Sequence, residues 1–154
     1  MGILIIIPCG KEKIWDRNPN KGPTPASDAY TSEYFKTNKS YAERFAQKWV
    51  ILSGKYGFIE PDFLIPENYN VTYNDTSTNP TAISDLIKQI KLKGLYESDE
   101  IIVLGGKNYR EITKRAFNKK ILTPFAGIMD IKGIMKATQQ AIKSGNPFPF
   151  GKKG

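Results

Sequence analysis

The most constraining feature of the chain is the run Ile3–Ile7, in which every side chain is Ile or Leu. A strand with one solvated face alternates polar and apolar residues, so this run predicts a strand buried on both faces of a parallel sheet. Similar runs at Trp49–Leu52 and Glu100–Leu104 predict a second and a third buried strand, and Lys120–Pro124 predicts a weaker fourth. We also expect a short edge strand at Val71–Tyr73.

Helical periodicity and capping residues separate these strands. The helices are predicted to begin at Ser27 or Asp28, at Ser40, at Pro80, near Asn108 and at Asp130. Strands that alternate with helices predict an α/β fold, here a single-domain three-layer sandwich whose mostly parallel central sheet has about four strands. We expect the domain to span residues 1–144, followed by a flexible basic tail over 145–154.

Composition narrows the possible chemistry. The 154 residues carry a net charge of +8, which favours anionic partners such as nucleotides and nucleic acids. There is no histidine and only one cysteine, Cys9, so a Ser-His-Asp triad, a Cys-His pair and the usual zinc sites are excluded. We expect no metal and no cofactor. The single cysteine favours a reducing compartment, and the apolar start is too short to span a membrane, so we expect a cytoplasmic protein without a membrane partner.

In an open parallel sheet, ligands bind outside the carboxyl ends of the strands. The first candidate group, Cys9, Gly10, Lys11 and Lys13, directly follows the first strand. Gly10 would let the backbone approach a ligand, and the two lysines could bind phosphates. The alternative is a solvated basic turn. Cys9 is expected to be a packed thiol beside the ligand rather than a nucleophile, because no histidine can activate it.

The second group lies at the expected start of the first helix. Asp28 could be a helix cap, or a catalytic carboxylate that activates water or stabilises an oxocarbenium-like state. Tyr30 could stack on a base, and Ser32 is expected to contact the same ligand. Tyr30 could equally be a core residue, because aromatic side chains at helical spacing usually are.

The remaining groups are two glycine turns. In the first, Ser53 and Gly54 would present backbone N–H groups to an anion, with Tyr56 as a stacking face. Lys55 could act as a nucleophile if burial made its amine neutral. The second turn contains Gly105, Gly106 and Lys107 and leads into a helix, where it is expected either to hold an anion or to be a plain connection.

Three segments together resemble a known group of proteins. The segments are Cys9–Lys13, Ala26–Phe35 and Leu52–Pro61. They are similar to small uncharacterised bacterial, archaeal and phage domains with patterns close to CGKKK, A-x-DLYTS-x-x-F and LSAKYGLL-x-P. The Ser-Gly turn also resembles the SG-x-YG segment of the YaaA peroxide-stress proteins, which are DNA-binding α/β proteins distantly related to uracil-DNA-glycosylase-like folds.

This resemblance implies nucleic-acid or nucleobase handling, with cleavage or exchange of an N-glycosidic bond as its enzymatic form. The resembling domains carry the pattern Tyr-Asp-x-Thr, whereas this chain has Asn70 in place of the Asp, between Tyr69 and Val71-Thr72. If that Asp is catalytic, either Asp28 supplies the acid here, or the protein binds nucleotide or DNA without turnover, as a sensor or sponge. We include Asn70 among the candidate catalytic residues because an amide can orient water or a base edge. A nucleoside or phosphosugar transferase on the same scaffold is a third alternative.

Overall fold

The computed structural model describes residues 2–152, and its centre is the predicted first strand. In chain order the strands are β1 (Ile3–Pro8), β2 (Thr24–Pro25), β3 (Lys48–Ser53), β4 (Gly57–Ile59), β5 (Leu64–Ile65) and β6 (Glu100–Val103). The helices are α1 (Ile14–Arg17), α2 (Ala26–Ala29), α3 (Glu33–Phe45), α4 (Ile83–Lys93), α5 (Lys107–Phe117) and α6 (Ile131–Ser144), with 3₁₀ turns at Thr76–Thr78 and Leu95–Glu97. The main sheet has the order β4-β3-β1-β6.

Strand β1 is parallel to both of its neighbours, and its side chains alternate between two cores. Ile5 and Ile7 pack on the face covered by α3 and α6. Leu4 and Ile6 pack on the opposite face, covered by α4 and α5. Helices therefore cover both faces of the sheet, which is why Ile3–Ile7 needs no polar alternation. The predicted α/β class, single domain and mostly parallel four-stranded sheet are confirmed.

One of the five predicted helix starts and one predicted helix end are confirmed closely, and one start is wrong. Asp130 caps α6 by accepting a hydrogen bond from Gly133 N–H, and α4 ends at Gly94 as expected, with φ 65°. Ser40 does not begin a helix, because α3 runs continuously through it from its cap at Ser32. The Ser32 hydroxyl accepts the Phe35 N–H at 3.1 Å, so the helix starts eight residues earlier.

The other helix starts are shifted by a few residues. Ser27 and Asp28 lie inside the one-turn helix α2 instead of capping it. Helix α4 begins three residues after Pro80, and α5 begins one residue before Asn108.

Short strand pairings differ from the predictions because strands of two or three residues are too short to show a periodic pattern in the sequence. The expected fourth strand is reduced to a single bridge between Leu122 and Ile102. Val71–Tyr73 forms no strand, whereas β4 adds an antiparallel edge to β3, and β2 pairs with β5. The long first loop is partly ordered by α1, where the buried indole of Trp15 donates to the Lys21 carbonyl at 2.7 Å.

The connections create a crevice between β1 and β6. From β1 the chain crosses one face of the sheet through α3 to β3. From β6 it crosses the other face through α5 to the bridge at Leu122. The loops after β1 and β6 therefore diverge, and such a divergence at the carboxyl ends of parallel strands is the usual ligand position in open α/β sheets.

The segment after α6 contacts the domain. The Tyr41 hydroxyl donates to the Pro147 carbonyl at 2.7 Å, and the Lys152 amine pairs with Glu100 at 2.8 Å. The last two residues of the predicted flexible tail, Lys153 and Gly154, lie outside the described residues. None of the helices within residues 2–152 has the length and apolarity that crossing a membrane requires.

Candidate functional site

A cavity of about 360 Å³ opens at the crevice between β1 and β6. Its volume lies within the range of about 300–1,000 Å³ that small-molecule sites usually have. Its walls come from three parts of the chain: the loop after β1, the segment from residue 70 to 78, and the first turn of α5. The lining residues are Cys9, Gly10, Lys11, Lys13, Asn70, Val71, Thr72, Asn74, Asp75, Thr78 and Tyr109.

Lys13 is the unusual charged group of this cavity, because its side chain is only 4% exposed. The amine lies 4.5 Å from the ring centre of Tyr69 and 5.9 Å from that of Tyr30. It donates to the Lys11 carbonyl at 3.2 Å. Burial lowers the pKa of Lys13 below its usual value, and attraction to Cys9 and Asp16 opposes the shift.

Tyr69 connects Lys13 to the Ser-Gly turn through buried hydroxyl groups. The Tyr69 hydroxyl forms a hydrogen bond with Tyr30 and another, of 2.8 Å, with Ser53. Burial raises the pKa of both tyrosines, so they stay protonated across the physiological range. Tyr30 is a buried part of the cavity's support and is not exposed for stacking on a base.

The Ser-Gly turn is occupied by the protein itself. The Ser53 hydroxyl accepts the backbone N–H groups of Lys55 and Tyr56, each at 3.2 Å. A Cβ at Gly54 would lie 2.4 Å from the Val71 carbonyl oxygen, so glycine is required for this close approach. The turn therefore supports the cavity wall at Val71. Lys55 and Tyr56 line a neighbouring, more open depression, with the Lys55 amine 5.4 Å from the Tyr56 ring centre.

The opposite wall contains polar groups that the sequence analysis did not single out. The Tyr109 hydroxyl contacts the Cys9 sulfur at 3.4 Å and the Thr72 hydroxyl at 3.1 Å. Asp75 accepts the Ser77 N–H and hydroxyl at 3.0 and 2.6 Å, and these bonds lower the pKa of its carboxyl. Asn74 accepts a 3.2 Å hydrogen bond from the Asn108 side chain. A signal was present in the irregular polar stretch 70–78, because long structureless loops in compact domains are often functional.

The Gly-Gly turn lies beside the cavity without lining it. Gly105 has φ 126°, and a Cβ there would lie 3.1 Å from the Pro8 side chain. A Cβ at Gly106 would meet nothing within 4 Å, and this residue precedes α5 without a side-chain cap. Lys107 is exposed on the first turn of the helix.

The structure brings together some of the predicted site residues and leaves others apart. Cys9, Gly10, Lys11, Lys13 and Asn70 line one cavity. Ser32 lies next to Gly10, where a Cβ would be 3.6 Å from the Ser32 hydroxyl oxygen. Asp28 is not among the residues that line the cavity, and its exposed carboxylate is 3.9 Å from the Lys39 amine. From the ligand position expected at the carboxyl ends of the strands, Lys11, Asp28, Lys55 and Tyr56 are predicted to meet at one crevice. That prediction is wrong for three of them, because Lys11 alone of these four lines the cavity.

The fold and the cavity define a class: an open α/β protein with a polar, lysine-containing crevice where its strand connections diverge. The chain belongs to a family described as "Family of unknown function (DUF6884)", whose model matches residues 4–135. It is similar to a Bacillus subtilis (strain 168) protein named "Uncharacterized protein YfjM", with 37% identity over 142 residues, or 91% of this chain and 95% of that one. No solved structure gives a significant match.

Proposed function

We propose that this protein processes nucleobases: it binds a nucleotide unit of a nucleic acid in the cavity between β1 and β6 and cleaves an N-glycosidic bond. The observation that carries the proposal is the combination of groups in one cavity. The exposed amine of Lys11 is suited to a phosphate. The amides of Asn70 and Asn74 can each donate to and accept from a base edge, and the carboxylate of Asp75 lies in the same cavity.

Asp75 takes the role that the sequence analysis gave to Asp28. The Asp75 carboxyl is ionised at neutral pH, and hydrogen bonds from Ser77 lower its pKa further below the usual value. An ionised carboxylate is suited to stabilising the positive charge of an oxocarbenium-like transition state, and it is a poor proton donor. The leaving base would therefore have to receive its proton from another group or from water. A water molecule would add to the anomeric carbon of the sugar and lose a proton, which leaves the abasic sugar.

The same proposal is supported by the resemblance of short sequence segments, such as the Ser-Gly turn, to YaaA and, more distantly, to uracil-DNA-glycosylase-like proteins. The net charge of +8 supports a polyanionic substrate, and the single cysteine supports a cytoplasmic setting.

The test is release of free base from oligodeoxynucleotides with damaged, modified or ordinary bases, measured by chromatography. We expect Asp75→Asn to slow release by about 100-fold or more, because the charge is lost while the amide oxygen can still accept from Ser77. Asp62→Asn is the matched control, because Asp62 is exposed and lies outside the cavity. If no substrate loses a base, or if both variants act alike, the proposal is wrong.

A non-catalytic nucleotide or DNA binder is the second candidate, and Asn70 favours it. This residue lines the cavity where the resembling domains carry Asp. A binder would return its ligand unchanged, and mass spectrometry of the ligand released by denaturation would identify it.

A further inference from the structure

Lys13 differs from the other cationic side chains around the cavity in how its amine is held. Lys11 and Lys55 are exposed, whereas Lys13 is buried, with only 4% of its surface accessible to solvent. Lys13 lines the cavity, and its amine lies over the face of Tyr69, 4.5 Å from the ring centre. Of its three possible hydrogen bonds, one is made within residues 2–152, to the Lys11 carbonyl.

Among residues 2–152, no carboxylate forms an ion pair with this amine, although Asp16 attracts it without one. The four ion pairs within the described part of the chain involve Lys39, Lys48, Lys93 and Lys152. The nearby carboxylate of Asp16 accepts instead from the Lys13 backbone N–H at 2.8 Å and from the Asn68 side chain at 3.2 Å. Burial without an ion pair lowers the pKa of Lys13, so a larger fraction of its amine is neutral than in an exposed lysine.

Lys13 lines the cavity, and the neutral form of a lysine amine is a nucleophile for carbonyl carbon. We propose that Lys13 forms an imine with the open-chain aldehyde of an abasic deoxyribose, the sugar that remains in DNA after a base is lost. The inference rests on the proposed function in that both use this cavity and the abasic sugar is the product of base release.

The reaction balances without an oxidant or a cofactor. The Lys13 nitrogen forms a bond to the aldehyde carbon, and the carbonyl oxygen leaves as water with the two hydrogens of the amine. The resulting imine is cationic when protonated, and the ionised carboxylate of Asp75 in the same cavity stabilises it electrostatically. The Tyr109 hydroxyl, which also lines the cavity, stays protonated because burial raises its pKa, so it can donate a hydrogen bond to the departing oxygen.

Reductive trapping tests this inference directly. The full chain is incubated with an oligodeoxynucleotide containing one abasic site and with sodium borohydride, which adds hydride to an imine and makes the link permanent. We expect a covalent adduct on a denaturing gel, and peptide mass spectrometry should place the added mass on Lys13. Lys13→Met should lower the adduct yield by at least about 100-fold. Lys36→Met, a change at an exposed lysine on α3, should leave it unchanged.

Each possible outcome either supports or rejects imine formation by Lys13. No adduct, or an adduct on Lys11, Lys55 or many lysines, overturns the inference. If Lys13→Met fails to fold, the site mapped in the unmodified protein still decides it. Base release without an adduct would retain the proposed function and reject the imine. An adduct on Lys13 without base release from any substrate would retain the imine and reject the proposed glycosylase activity.

Discussion

The two glycine turns of the sheet look equivalent in the sequence and differ in the structure. Both follow buried strands. The first was expected to present backbone N–H groups to an anion, and the second either to do the same or to be a plain connection. At the Ser53 turn, the N–H groups of Lys55 and Tyr56 already donate to the serine hydroxyl, and Val71 covers Gly54. At the Gly106 turn, the space around the glycine is open. The first turn is an internal support, and the second remains accessible.

The largest expected difference in stability between the two turns comes from replacing one glycine in each by alanine. Gly54→Ala would place Cβ 2.4 Å from the Val71 carbonyl oxygen, so the backbone must move, at a cost of about 3 kcal/mol in unfolding free energy. Gly106→Ala meets open space and should cost about 0.5 kcal/mol, because alanine is a slightly poorer helix cap. Denaturant unfolding measures both values. Equal losses would contradict the difference between the turns.

A medium effect is expected from removing the hydroxyl of the first turn. Ser53→Ala leaves the N–H groups of Lys55 and Tyr56 and the Tyr69 hydroxyl without this partner, and we expect a loss of about 2 kcal/mol. Ser84→Ala, at an exposed position of α4, should change stability by less than about 0.5 kcal/mol. Thermal unfolding of the pair would sharpen the comparison, and an unchanged stability of Ser53→Ala would show that the turn is not held by this hydroxyl.

The smallest expected effect concerns nucleic-acid affinity. If the open turn contacts a phosphate, Lys107→Gln should reduce the slope of log affinity against log salt by about 0.7 for single-stranded DNA. Lys55→Gln should change the slope less, because its turn is closed and its amine lies over the Tyr56 ring. Fluorescence anisotropy of a labelled oligonucleotide at several salt concentrations measures both. Identical slopes for the two variants would remove the distinction.

The sheet could be predicted from the sequence because burial on both faces leaves a local signature. Ile3–Ile7 carries that signature within five residues. Strand β4 pairs locally with β3, but its three residues are too few to show a periodic pattern. Strand β5 has only two residues and is ordered by β2, far earlier in the chain. The sequence therefore predicts the longer strands β1, β3 and β6 better than the short ones.

The candidate site was predicted only in part for the same reason. Lys11 and Lys13 could be assigned to the cavity because they directly follow β1. The closing wall at 70–78 could not, because its position depends on the return of a long irregular segment. Burial of Lys13 was also missed, since charged side chains are ordinarily exposed and the two tyrosines that cover its amine lie 17 and 56 positions further along.

The outer edge of β4 has a consequence for the behaviour of the protein in concentrated solution. The Gln89 side chain accepts the Phe58 N–H at 2.8 Å and donates to the Tyr56 carbonyl at 3.0 Å, as a peptide group of another strand would do. Unpaired strand edges recruit strands from other molecules, which leads to aggregation. The side chain of Gln89, on helix α4, thus occupies the backbone groups that a strand of another molecule would need in order to extend the sheet at this edge.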